Sequence, residues 1–240
     1  MDGDKMIELA QEFGELGSEI HGEGDNDAAL RRLVQLAVKH IPSCVWASIT
    51  VLKGKQGRSI AYTDDIAAQA DQLQYECGEG PCLQAAADNN DYLLFDVERE
   101  TRWPSYTAAV LERTPVRSVL SMQLPAEEAA ALNLFADQAA AFGEDDLTMA
   151  TVFAAHASTL VALYETEHDN ENLHTALDSS RRIGAAIGVL MAIHKVTEDQ
   201  AFDLLRTASQ LLHRKLRDIA SEVVETGALP DLPPVRSAIS

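Results

Sequence analysis

The chain has 240 residues, 46% of them hydrophobic, and a formal net charge of −19. That hydrophobic share excludes a disordered chain, and the length suits one large domain or two ordinary ones. No basic leader precedes an apolar run and no 18 apolar residues occur together, which predicts a soluble, cytoplasmic protein without a membrane partner, and three cysteines are too few for a secreted disulfide framework.

Residues 6–20 and 28–41 place apolar side chains at helical spacing, the second through Leu30, Leu33, Val34, Ala37, Val38 and Ile41, with Pro42 as its stop. Val45, Ala47, Ile49 and Val51 then alternate with Trp46, Ser48 and Thr50 in the manner of a strand. Gly54 and Gly57 bracket a turn into a second strand over residues 57–63, making a hairpin. From Asp64 to Gln84 the pattern is helical but irregular. Tyr92 to Val97 reads as a short buried strand, residues 103–114 as a helix with Pro104 near its start, and residues 116–124 and 131–136 as two more strands. About five strands in an antiparallel sheet, with helices before, between and after them, make an α+β architecture.

Glu144 to about His194 contains no proline, and no glycine before Gly184; an unbroken helix of that length extends on the order of 75 Å. Phe153, Ala157, Leu160 and Tyr164, then Leu173 and Leu177, fall at heptad spacing around a polar interval. That pattern fits a seam shared by two protomers, or a domain helix, a polar linker and a separate helix. Further on, Ile183, Ile187, Leu190 and Met191 keep one face apolar, while Gly184 and Gly188 permit close approach of another backbone. Thr197, three residues before Gln200, forms a capping-box signature with Val196 and Ala201 as the hydrophobic staple. The helix so opened points Ala201, Leu204, Leu205, Ala208 and Leu212 inward. Leu216, Ile219, Ala220, Val223 and Val224 mark a third helix that stops at Gly227.

Charge is unevenly spread along this plan. Residues 1–177 carry 11 Lys+Arg against 30 Asp+Glu, and residues 178–240 carry 8 of each. Arg181, Arg182, Lys195, Arg206, Arg214, Lys215 and Arg217 stand among only three carboxylates, so this segment can face phosphates. Cys77 and Cys82 flank a Gly-rich turn that either brings two thiols together for a reversible disulfide or places Cys82 as a small buried residue opening a helix. Trp46, Tyr75, Phe95, Trp103 and Tyr106, with those two cysteines, are candidates to line a pocket, or else core residues. His156, His168 and His174 share a helical stretch with acids, as a solvated face or as metal ligands, and His40 reads as a cation at a helix C-terminus. No G-x-S-x-G, P-loop, Rossmann glycine pattern or H-E-x-x-H occurs, and the expectation is a protein that is not an enzyme, with no identifiable cofactor and no metal.

Over residues 26–165 the element order, together with LQYECGEGPCLQA (residues 73–85), RWPSY (102–106) and VRSVLSMQL (116–124), resembles the GAF sensor domains that precede ANTAR domains in bacterial regulators. The run from Asp178 to about Gly227 resembles the ANTAR family itself, through Ala186, Gly188, Leu190 and Met191, then Ala201, Phe202, Leu205, Arg206 and Ser209, then Lys215, Leu216, Ala220 and Val223. The resemblance implies an N-terminal helix (1–25), a GAF-like sensor (26–165), a helical linker (166–177), an ANTAR domain (178–227) and a flexible tail (228–240). It implies a homodimer that binds RNA with two stem-loops to prevent termination, and a small-molecule ligand or other signal at the GAF domain. Arg181, Arg182, Arg206, Arg214, Lys215 and Arg217 would then contact phosphates, and Ser209, Gln210 and His213 splayed bases. Two positions depart from the family: Ile187, where Lys is frequent, and His213, where Asn is usual and which reads as an N-cap. The alternative is a redox-sensing or ligand-sensing module whose bundle docks on a protein partner without RNA.

Overall fold

The strand pattern forms as expected around the hairpin β1 (Trp46–Lys53) and β2 (Gln56–Tyr62), followed by β3 (Tyr92–Leu94), β4 (Ser118–Leu124) and β5 (Ala129–Ala136). These make one antiparallel sheet in the order β2-β1-β5-β4-β3. The structure, a computed structural model, describes residues 3–21, 26–53 and 56–231. Gly54 and the tail beyond residue 231 lie outside them, and Gly57 belongs to β2 itself. The helices are α1 (Gly3–His21), α2 (Asn26–His40), α3 (Asp65–Cys77), α4 (Pro81–Asp88), α5 (Pro104–Arg113), α6 (Glu144–His194), α7 (Glu198–Leu212) and α8 (Leu216–Thr226). Two compact units divide the chain, Met1–Thr166 and Glu167–Ser240.

In the first unit the sheet is covered on both faces, which is why its strands carry little surface. Ala47, Ile49 and Val51 of β1 and Leu132 and Leu134 of β5 meet Leu30, Leu33 and Val34 of α2 and Phe153, Ala157 and Leu160 of α6. On the opposite face Ala67, Ala70 and Leu73 of α3 pack with Tyr106 and Val110 of α5 and Phe135 of β5. Val45 precedes β1 and is 38% exposed, so the apolar alternation starts at Ala47. Its polar complement is no solvated face: Ser48 and Thr50 are fully buried. β3 stops at Leu94, earlier than the expected Val97, and Phe95 turns outward at 55% exposure. Phe153, Ala157, Leu160 and Tyr164 are buried in this unit's own core and offer no seam to a second protomer. α6 is long and apolar enough, by length and composition, to cross a membrane, and these buried side chains give it the composition of a core helix.

The terminal helix α1 is fastened to α2 by charge. Lys39 Nζ donates to Glu8 and Glu12 at 2.8 and 2.7 Å, Arg32 reaches Glu15 at 2.8 Å, and His40 Nε2 lies 2.5 Å from Glu12. His40 thus ends α2 in a polar cluster with Glu12, which Lys39 shares, and Phe13 of α1 stacks on His156 of α6 at 3.7 Å.

The second unit closes on Ala186 and Leu190 of α6, Ala201, Leu205 and Ala208 of α7, and Ile219, Ala220 and Val223 of α8. The capping box is realised: Thr197 Oγ1 accepts from the Gln200 N–H at 3.4 Å and Gln200 Oε1 accepts from the Thr197 N–H at 3.0 Å. Three expectations differ. Met191 and Val224, at 37% and 44% exposure, flank the core without entering it, and a Cβ at Gly184 or Gly188 would meet nothing within 4 Å. Ile187 packs against the bundle core, a place that suits an apolar side chain.

Candidate functional site

The CGEGPC turn joins α3 to α4 and is built for backbone geometry. Gly78 caps α3 in the left-handed region at φ 67°, donating to Gln74 O, and Gly80 takes φ 149°. A Cβ on Gly80 would overlap the Gln74 amide, which accepts from the Cys82 N–H at 2.8 Å and so supplies the first turn of α4 with a cap. Cys77 and Cys82 are both free thiols. Burial, with Asp71 nearby, pushes the Cys82 thiol up to about 12, and burial followed by Glu79 and Glu76 raises Cys77. Little thiolate is left at neutral pH, which speaks against a redox switch here.

Under this turn lies a polar cluster that a local reading of the sequence overlooks. Asp71 of α3 is fully buried. Its Oδ2 accepts from Ser59 Oγ of β2 at 2.7 Å and Thr50 Oγ1 of β1 at 3.3 Å, and its Oδ1 accepts from Asn133 Nδ2 of β5 at 3.0 Å. Tyr75 OH lies 2.9 Å from Thr50 Oγ1 and 3.3 Å from Ser59 Oγ. Ser121 of β4 donates to Asn133 Oδ1 at 2.9 Å, and Asn133 also reaches Ser48 at 3.3 Å. Desolvation raises the Asp71 carboxyl to about 6 against the opposing pull of Ser48, Ser59, Thr50 and Asn133. Two further donors on this side, Gln74 Nε2 and Tyr106 OH, are buried without a hydrogen-bond partner. The one available clue is Asp71's place in its helix, four residues after Ala67 and three before Gln74, on the face that α3 buries.

Of the candidate pocket residues, Trp46, Cys77, Trp103 and Tyr106 share one core cluster, Tyr75, Cys82 and Tyr106 lie near Asp71, and Phe95 stands apart. Tyr106 and Cys82 are fully buried, and Trp103 nearly so, with its Nε1 donating to Gln84 at 2.8 Å and the Arg102 guanidinium 4.2 Å from its ring. Tyr75 belongs to the Asp71 cluster, while Trp46 and Cys77 border the core under α3 and α5. Phe95 lines a separate surface depression of about 400 Å³ with Asp96, Arg99, Glu100, Arg102 and Ala140. Among the described residues, no group of three or more His, Cys, Asp or Glu could hold a metal ion.

On the second unit the cations sort by partner. Arg206 pairs with Asp203 at 2.9 Å, Arg214 with Glu222 at 2.6 Å, Arg217 with Asp218 at 3.6 Å and Arg181 with Asp178 at 4.0 Å, all on exposed side chains except the half-buried Glu222. Arg182 donates to Ser221 Oγ at 3.0 Å. Lys195 and Lys215 have no carboxylate within ion-pair distance among the described residues. The α7–α8 turn engages the backbone of one expected base reader and the side chain of another. His213 sits in the left-handed region at φ 51° as the C-cap of α7, and Ser209 Oγ donates to the Arg214 carbonyl at 2.6 Å. His213 is therefore no N-cap; Lys215 holds that position on α8. Asn enters the left-handed region more readily than most residues, so a turn position of this kind explains Asn as the usual residue better than an N-cap does. Gln210 is exposed.

The first unit is a GAF-like fold. It matches the GAF domain of a phosphoenolpyruvate-protein phosphotransferase from Acinetobacter with a TM-score of 0.53 at 15% identity, over 69% of this chain and 97% of that one. The type II free methionine-R-sulfoxide reductase of Thermoplasma acidophilum is similar at TM-score 0.47 and 20% identity, over 57% and 92%. A free methionine-R-sulfoxide reductase from Neisseria meningitidis, solved with its substrate, is similar at TM-score 0.46 and 17% identity, over 61% and 84%. At such identities the likeness concerns the fold alone. No curated protein matches the chain. Residues 171–224 match the ANTAR domain. The chain thus has a GAF-ANTAR architecture, a GAF-like α+β unit followed by an ANTAR domain.

Proposed function

We propose that this chain is a signal-responsive RNA-binding regulator of transcription antitermination, cytoplasmic and homodimeric, in which the GAF-like unit receives the signal. Its ANTAR domain binds RNA carrying two stem-loops, and neither unit performs catalysis. The observation that carries this reading is the ANTAR match over residues 171–224 on a bundle whose outer surface bears Arg181, Arg182, Lys195, Arg206, Arg214, Lys215 and Arg217. Lys195 and Lys215 meet phosphates at no internal cost, whereas Arg206 and Arg214 exchange an exposed carboxylate for a phosphate, a near-balanced trade for surface pairs. Exposed Leu173 and Leu177, one turn apart on α6, supply an apolar strip for a second protomer.

Fluorescence anisotropy of the full chain with a double stem-loop RNA, repeated over a salt series, tests the reading. Affinity should fall log-linearly with salt, and replacing Arg214 and Lys215 with Ala should remove most binding and flatten the log-log slope by about 1.4 for two lost phosphate contacts on single-stranded loops. No salt-dependent shift with any double stem-loop RNA sinks it. Capture of a protein partner that survives the same double substitution would instead favour a docking module.

A further inference from the structure

Residues 167–240 contain a single Phe, Tyr or Trp, and that residue, Phe202, stands outside the core. The bundle closes on Ala, Leu, Ile and Val side chains, with Ala201, Leu205 and Ala208 marking the inward face of α7. Phe202 follows Ala201 and so lies about 100° round the helix from it, at 39% exposure. No other ring and no guanidinium packs on it among the described residues. An aromatic ring gains more from burial than the aliphatic side chains of that core, so its place outside leaves a large apolar face open to a partner.

The outer face of α7 continues from Phe202 through Arg206, Ser209 and His213, at steps of four, three and four residues, and the chain then turns through Arg214, Lys215 and Arg217 into α8. Along those 11 residues, about 17 Å, the charge changes sign. Glu198, Asp199 and Asp203, all exposed, neighbour Phe202 at the start of α7, and Arg206, Arg214, Lys215 and Arg217 follow toward its end. Phosphates are drawn to the cationic end and repelled from the acidic one. What an RNA strand lying along α7 can offer Phe202 is therefore an uncharged base, whose flat face matches a phenyl ring and whose amino groups can donate to a carboxylate. Ser209 is less free for that task than its position suggests, because its hydroxyl hydrogen is committed to the Arg214 carbonyl at 2.6 Å.

We propose that Phe202 is the stacking platform for one unpaired base of the RNA loop, while Arg206 and the α7–α8 turn hold the phosphates. This rests on the reading of the second unit as an RNA-binding domain and names the side chain that takes a base. A base inside a continuous stem keeps its face covered by its neighbours, so Phe202 sets the preference for an open loop over a stem.

The test is fluorescence anisotropy of the full chain with a double stem-loop RNA, and with versions of it carrying one abasic loop position at a time. Phe202→Ala should weaken binding about 5- to 150-fold and leave the log-log salt slope unchanged, since no phosphate contact is lost. Arg206→Ala should lower that slope by about 0.7. Phe202→Tyr should bind as wild type does, and Phe202→Leu, apolar but without a π face, should resemble Phe202→Ala. One abasic position should weaken wild type and have little further effect on Phe202→Ala, the coupling that a direct contact predicts. Helical signal on heating, expected to match wild type in each variant at this exposed site, separates a lost contact from a lost fold. Wild-type affinity in Phe202→Leu, or full additivity at every loop position, overturns the platform and leaves the RNA reading standing. Normal RNA binding by a Phe202→Ala chain that sediments as a monomer also overturns it, and assigns the ring to a second copy. Absence of RNA binding by wild type overturns the RNA reading, and the platform with it.

Discussion

Gly57 and Asp71 show how much a single position can carry in the GAF-like unit. An alanine at 57 would drive its methyl into the Tyr75 ring, so the ring, β2 or α3 must shift. Gly57→Ala is expected to cost about 1–3 kcal/mol, as overpacking does, measured by urea unfolding, and to weaken the Tyr75 hydrogen bonds with it. Asp71 acts on stability through its proton. Its folded-state value is raised, so its contribution is fully present below the unfolded carboxylate's 3.8 and is lost as pH rises through about 6. That gap corresponds to roughly 3 kcal/mol, and Asp71→Asn should gain on wild type by a comparable amount between about pH 4 and 7 in thermal unfolding. The thiols give a third residue-scale expectation. Cys44 and Cys82 are buried and pushed up to about 12, so iodoacetamide at neutral pH should label Cys77 first and the other two only on unfolding.

Among the elements, α7 is the one whose start was written most openly in the chain. Thr197 and Gln200 satisfy each other's backbone as a capping box, and Thr197→Ala should cost about 1 kcal/mol in the second unit, read from the loss of helical signal on heating the full chain. α6 was harder. Phe153, Ala157, Leu160 and Tyr164 have the spacing of a coiled-coil seam, yet they are core residues of the first unit. Spacings of three and four describe both an amphipathic core helix and a heptad seam, so period alone does not separate them. The exposed strip on the same helix is Leu173 and Leu177. Replacing both with Ser should shift sedimentation toward the monomer and weaken RNA binding while the unfolding of the first unit is unchanged.

At the scale of the whole molecule, the charge of −19 arises entirely within residues 1–177, and the ANTAR-bearing remainder is balanced. Local sequence rules settled the helices, the hairpin, the capping box, the glycine stops and this segregation of charge, because each depends on neighbours a few residues apart. They also exposed the cations of the second unit, of which Arg214, Lys215 and Arg217 gather at the α7–α8 turn. Tertiary structure alone decided which polar residues leave water. Ser48, Thr50, Asp71, Ser121 and Asn133 are buried and Ser59 half-buried, gathered from β1, α3, β4, β5 and β2, and their polarity alone would place them at the surface. Once sheet order brings them under one helix, every partner of the carboxyl is neutral and its proton is held to about 6. Burial is a property of packing between distant segments, and the titration of a buried group follows burial. For that reason the chain's pattern could announce two units of different charge, while the buried carboxyl of Asp71 was visible only in the fold.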